Sequence, residues 1–202
     1  MLTLNDFGYI RRAIFDKKYK EFTRPNELNI IGIRYNNKTI NIFDDQICVF
    51  YLDDNLNYNI HLFKATTKPG LYWLRNLLNP KGTAILKEGQ YLDAYEIAYH
   101  RGKYLALCQR LPVEVYRDKN RDDKIDYDKK TIEKGLFGIN IHRANALSVI
   151  TTIDKYSAGC QVIQDPDDFR VLLVLANRHK NLYGNKFTYT LINSEDISTY
   201  KN

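Results

Sequence analysis

The amino-acid sequence predicts a mainly β, α+β fold in a single domain spanning residues 1–202, with residues 1–25 as a helical N-terminal extension. Three observations predict it. Short runs rich in Ile, Val, Tyr and Phe recur along the chain, cut by Asn, Asp, Gly and Pro. Two stretches carry helical rather than alternating periodicity, one near the start and one after residue 165. No internal repeat, low-complexity linker or shift in composition divides the chain.

Asn5-Asp6 is read as the cap of a first helix running to about Lys20, which Arg24-Pro25-Asn26 ends. Strands follow at Leu28–Tyr35, Thr39–Phe43 and Gln46–Leu52, with turns at Asn36-Asn37 and Asp53-Asp54-Asn55. Tyr58–Phe63 alternates polar and apolar residues as a half-buried strand does. Leu71–Leu74, Gly82–Leu86, Tyr91–Tyr99 and Tyr104–Tyr116 read as further strands, and His100-Arg101-Gly102-Lys103 as a tight hairpin turn. Gly138–His142 is another alternating strand and Phe187–Ile192 the last.

The second helix has the clearest ends. Asp165 is the N-cap, Pro166 occupies the first helical position, and Asp167 and Asp168 suit the positive end of the dipole. Phe169, Leu172, Leu173 and Ala176 form its apolar face, and Gly184 stops it.

Composition narrows the function classes. With 44% hydrophobic and 13% aromatic residues the chain is globular, not disordered. Thirty Lys and Arg against twenty-four Asp and Glu give a formal charge of +6, scattered except at Arg11-Arg12 and Lys17-Lys18-Tyr19-Lys20. That charge implies a mild attraction to polyanions and singles out no nucleic acid. The three cysteines, Cys48, Cys108 and Cys160, form no CxxC pair, and Cys48 and Cys108 lie within apolar strands. A disulfide framework is not expected, which suits folding in a reducing cytoplasm.

One constellation carries chemistry. His142 ends a strand, and after fourteen intervening residues comes the small-residue segment Ser157-Ala158-Gly159-Cys160. A nucleophilic thiol needs a base, an exposed position and donors for the developing oxyanion. His142 is the candidate base, and backbone N–H groups around Gly159 are candidate donors. Tyr156, Arg143 and Gln161, the immediate neighbours of the pair, are the candidate substrate-binding residues.

The His142…Ser157-Ala158-Gly159-Cys160 pattern resembles the signature of the YkuD-type L,D-transpeptidase catalytic domain. Upstream, Thr66-Thr67-Lys68-Pro69-Gly70-Leu71-Tyr72 is similar to a strand those domains carry ahead of the histidine. The likeness covers roughly residues 60–162 and is one of motifs. It implies an L,D-transpeptidase-like β-sandwich or mixed sheet, with helices at the N-terminus and after the cysteine. It also implies an acyl-enzyme on Cys160, with His142 as general base, Ser157 orienting the histidine, and the Gly159 and Cys160 amides as the oxyanion hole. Peptidoglycan stem peptides would be the substrate, cleaved by water or joined by an amine. The sequence departs from the pattern at Ala158, where the family has a second histidine, at Val162, where it keeps a polar residue, and at Arg143 in place of glycine. A catalytically inactive virion or wall-binding protein of the same fold is the alternative.

A second motif is a possible calcium loop. Asp118, Asn120, Asp122 and Asp126 fall at positions 1, 3, 5 and 9 of an EF-hand-like loop, and Lys124 at the position that uses a backbone carbonyl. Asp123 replaces the turn glycine, and Asp128 stands one residue short of the twelfth position. The regular alternation favours a structural calcium ion over a solvated hairpin tip. Catalysis itself calls for no cofactor.

The N-terminal Met1-Leu2-Thr3-Leu4-Asn5-Asp6 lacks a basic segment followed by an apolar one, and no apolar run reaches the length of a membrane span. Synthesis in the cytoplasm, with association with a virion or release at lysis, is the expectation. Other virion proteins would then be partners.

Overall fold

The structure, a computed structural model, describes residues 1–37 and 39–200. It is mainly β. Eight strands close into a barrel and three more form a separate small sheet.

β1 (Asn29–Arg34), β2 (Asp45–Leu52) and β3 (Tyr58–Thr66) form an antiparallel meander. β5 (Gly89–His100) and β6 (Tyr104–Gln109) make the expected hairpin, with Arg101 and Gly102 both at positive φ in the turn. Closure depends on partners remote in sequence. β11 (Phe187–Asn193) runs parallel to β1 and antiparallel to β5. β9 (Ile141–Arg143) pairs with β6, and β10 (Gln161–Ile163) lies parallel to β9 and antiparallel to β3. β4 (Thr83–Leu86), β7 (Val113–Asp118) and β8 (Glu133–Gly135) form the second sheet.

Alternation places Ile30, Ile47, Val49, Phe63, Tyr95, Tyr189, Leu191 and Ile163 in the main core. The opposite face of β1 and β2 presents Ile31, Ile33, Cys48 and Phe50 to α1 (Phe7–Asp16), which buries Ile10, Ala13 and Ile14 there. This helix is shorter than expected. Its entry is organised one turn earlier, where the Asp6 carboxylate accepts from the Thr3 backbone N–H at 2.7 Å and hydroxyl at 3.1 Å. It stops because Lys18 adopts a left-handed φ of 57°, with Tyr19 N–H bonding back to Ile14 O at 3.0 Å.

Three expected strands are corrected. Residues 39–43 contribute only an isolated bridge between Ile42 and Thr152. Leu71–Leu74 is instead the short helix α2 (Leu71–Arg75). Gly70 packs so closely on residue 154 that a β-carbon would lie 2.0 Å from the Asp154 carbonyl oxygen, and Trp73 Nε1 donates to Lys155 O. These contacts carry the chain out of the sheet. A four-residue apolar run is compatible with either state, and tertiary contacts chose. Tyr104–Tyr116 breaks into β6 and β7, in different sheets, around Arg110-Leu111-Pro112, where proline has no N–H for a ladder.

α3 (Pro166–Tyr183) follows β10 as its signals predict. The Asp165 side chain accepts from Asp167 N–H, and Gly184 closes the helix at a φ of 90°. Phe169, Leu172 and Ala176 are buried, and Leu173 half-buried. The short α4 (Glu195–Ser198) packs on α1. Among the described residues no helix is long and apolar enough to cross a membrane.

Candidate active site

Register brings the predicted pair together. In the parallel ladder Gln161 faces Ile141 and Val162 faces His142, so Cys160 sits beside Asn140, the residue just before β9 and two before His142. Ile141 also pairs with Leu107 on β6, and those side chains belong to the core. Strand alternation therefore turns Asn140 and His142 to the other face. The two pieces of the motif meet as well. Thr66 pairs with Val162, and Gly70 N–H donates to Ser157 O at 2.8 Å.

The hydrogen bonds assign the His142 tautomer. Nδ1 lies 2.8 Å from the Arg143 carbonyl oxygen and therefore carries the proton. The Tyr104 hydroxyl stands 3.2 Å from the same nitrogen and donates to the same carbonyl at 3.4 Å. Nε2 is left as the lone-pair nitrogen. Burial pushes the His142 pKa down to about 3, helped by His100, Arg101 and Arg143 nearby. The imidazole is thus an uncharged ring, 4% exposed.

The thiol is also uncharged. Burial raises the Cys160 pKa to about 11, against the opposing effects of the Asn140 N–H and Arg101. Its Sγ accepts from Asn140 N–H at 3.5 Å and donates to Gly138 O at 3.4 Å. Among the described residues no hydrogen bond joins it to His142.

Other expected residues have other company. The buried Ser157 hydroxyl donates to Cys160 O at 2.8 Å and accepts from Gly159 N–H at 3.2 Å, so its bonds hold the cysteine loop rather than the histidine ring. Gly159 has a φ of 115°, and a β-carbon there would lie 2.2 Å from the Ala84 carbonyl oxygen. The glycine admits the loop against β4, and its amide is engaged by Ser157. Gln161 faces the core, where Tyr189 donates to its Oε1 at 2.9 Å and its Nε2 donates to Gly159 O at 3.2 Å. Arg143 lays its guanidinium 4.1 Å from the centre of the Tyr104 ring, and Tyr156 accepts from the Asn145 side chain.

Sequence reasoning missed His100, Tyr104 and Asn140. His100 stacks on His142 with ring centroids 4.3 Å apart, and the Asn140 side chain bonds its Nδ1 at 2.9 Å. His100 and Tyr104 are direct partners closing a hairpin, and Asn140 is two residues before His142. Those were the available signals. They become informative only when β9 is known to lie beside β6.

The acidic loop spends its polar groups on its own turns. Asp118 accepts from Asp126 N–H, Asn120 Nδ2 donates to Asp126 at 2.7 Å, Asp122 accepts from Lys124 N–H, and Asp128 caps the turn at Lys130. Asp123, at a φ of 63°, makes the bend that glycine would, and its carboxylate pairs with Arg75. Among the described residues no group of three or more His, Cys, Asp or Glu could hold a metal ion.

Compared with known proteins, the chain matches no family model, no curated protein and no solved structure.

Proposed function

We propose that the protein is a cysteine-dependent peptidase or transpeptidase-like enzyme on peptidoglycan stem peptides, with Cys160 as nucleophile and His142 as base. One observation carries the reading. A buried histidine whose Nδ1 proton is fixed on the Arg143 carbonyl keeps its lone pair on Nε2, two residues along the ladder from a half-buried thiol. The likeness of the motif to YkuD-type L,D-transpeptidases supplies the substrate class. Contact between its two pieces, Thr66–Tyr72 and Ser157–Cys160, supports that likeness.

Both groups are neutral at rest, so proton transfer accompanies attack. Sγ adds to the peptide carbonyl carbon while its proton moves to His142 Nε2, and the Cys160 amide donates to the oxyanion. Collapse expels the amine, which takes that proton and leaves a thioester on Cys160. Water, giving a proton to His142 as it adds, then releases the carboxylic acid and restores the thiol. An amine in place of water gives transpeptidation.

Mass spectrometry of muropeptides released from sacculi tests this. Cys160→Ala or His142→Ala is expected to cut release by about 10³-fold or more with the fold intact. A second reading, a non-catalytic wall-binding or virion protein, is favoured by one observation. The thiol donates to Gly138 O rather than to His142, while Ser157 occupies the Gly159 amide. If the wild type binds sacculi yet releases no more than Cys160→Ala, that reading replaces the first.

A further inference from the structure

We infer that His100, pinned by the side chain of Asn140, is a positioning residue for the His142–Cys160 pair; the inference rests on the reading above. The hydrogen-bond pattern admits one assignment. Asn140 Oδ1 accepts from Gln109 N–H at 2.8 Å, which fixes the amide orientation and turns its NH₂ toward His100 Nδ1 at 2.9 Å. His100 Nδ1 is therefore the acceptor, and His100 carries its proton on Nε2. His142 has the opposite tautomer, with its proton on Nδ1. The two rings lie nearly parallel, at 22°. Protonating His100 on Nδ1 would break its bond to Asn140 and place a charge against His142.

Asn140 serves both members of the pair. Its backbone N–H donates to Cys160 Sγ, its carbonyl accepts from Gln161 N–H, and its side chain holds His100. Gln109 anchors the approach to Asn140. Its Oε1 accepts from the N–H groups of Phe137 and Ile139, and its Nε2 donates to the carbonyls of Leu111 and Gly135. His100 thus fixes the plane of the His142 ring by stacking, on a support that also sets the sulfur. The charged and titratable groups around the two rings are Arg101 in the hairpin turn, Arg143 on β9, Tyr104 and Cys108 on β6, and Cys160 ahead of β10. Burial and Arg101 hold the His100 pKa down, in keeping with its acceptor role.

Two variants separate ring from acceptor: His100→Phe keeps a stacking face without the Nδ1 acceptor, and His100→Gln keeps an acceptor without the ring. The readouts are the titration midpoint of His142 by histidine-labelled NMR, the pH profile of iodoacetamide alkylation read on the Cys160 peptide, and kcat and KM on muropeptides. In His100→Phe the His142 midpoint is expected to rise by about one pH unit or more, because an aromatic face attracts a cation that a second imidazole repels. In both variants kcat is expected to fall about tenfold with KM little changed. In the wild type, ¹⁵N shifts are expected to show His100 unprotonated at Nδ1 and His142 protonated there.

A His100 protonated at Nδ1 overturns the inference, as do a midpoint, alkylation profile and kcat that both variants share with the wild type. Should His100→Phe fail to fold, the wild-type tautomers and His100→Gln decide. If the wild type cleaves nothing while the tautomers and the shifted midpoint hold, the positioning stands and the proposed activity falls.

Discussion

Two polar clusters on this barrel meet the cost of burial in opposite ways. Beside β1, Arg34 and Asp45 are almost fully buried and are paired throughout. Arg34 donates to the Thr67 hydroxyl and carbonyl, to Leu86 O and to Glu88, all within 3.0 Å. Asp45 accepts from Thr67 N–H, the Thr67 hydroxyl and Tyr35 N–H, each at 2.8 Å, with Lys68 at 3.2 Å. Around β9 no ion pair forms among the described residues. His142, His100 and Cys160 accommodate burial by staying neutral, and their few bonds set tautomers rather than balance charge. The first arrangement locks strands together. The second holds uncharged rings and a thiol by stacking and single hydrogen bonds.

Breaking the charged cluster should cost the most stability. Asp45→Ala removes one of the two carboxylates paired with Lys68 and leaves the Tyr35 and Thr67 N–H groups without their acceptor, and the expected loss is about 3–5 kcal/mol by denaturant unfolding.

The neutral cluster should instead show its character in acid. The His142 pKa is about 3 in the folded protein and near 6.5 unfolded, so the unfolded chain takes up its proton first as pH falls. The expected loss is about 1.4 kcal/mol per pH unit between roughly 6.5 and 3. His61, His100 and His179, also shifted down by burial, act in the same direction. Unfolding measured at pH 7, 5.5 and 4.5 should show this slope, and His142→Phe should flatten it.

Smaller effects sharpen the contrast. Gly159→Ala drives a β-carbon against the Ala84 carbonyl at a left-handed φ and should cost about 1–3 kcal/mol, with slower alkylation of Cys160 as the cysteine loop shifts. Arg75→Ala removes an exposed ion pair with Asp123 and should leave the unfolding midpoint almost unchanged. It is the control for charge pairing outside the barrel.

Legibility followed the range of the determining interactions. Asp165-Pro166 and Gly184 delimit α3 through bonds within a few residues, and the hairpin at Arg101-Gly102 is equally local. Residues 39–43 and 71–74 went otherwise because neighbours far along the chain, such as Asp154 against Gly70, decided their state. The site divides in the same way. His142 and Cys160 stand out by residue type and spacing, whereas His100 and Asn140, forty residues apart, do not.

By itself, then, the sequence determined a mainly β chain and a capped helix after Cys160, and marked His142 and the loop residue Cys160 as candidates, because alternation, capping and residue chemistry act over short distances. Only the tertiary structure decided that the strands close into a barrel through β1 and β11, that β10 slides between β9 and β3, and that His100 stacks on His142. Those contacts join residues whose separation along the chain bears no trace in local pattern. Each required a register that only the packed core could select.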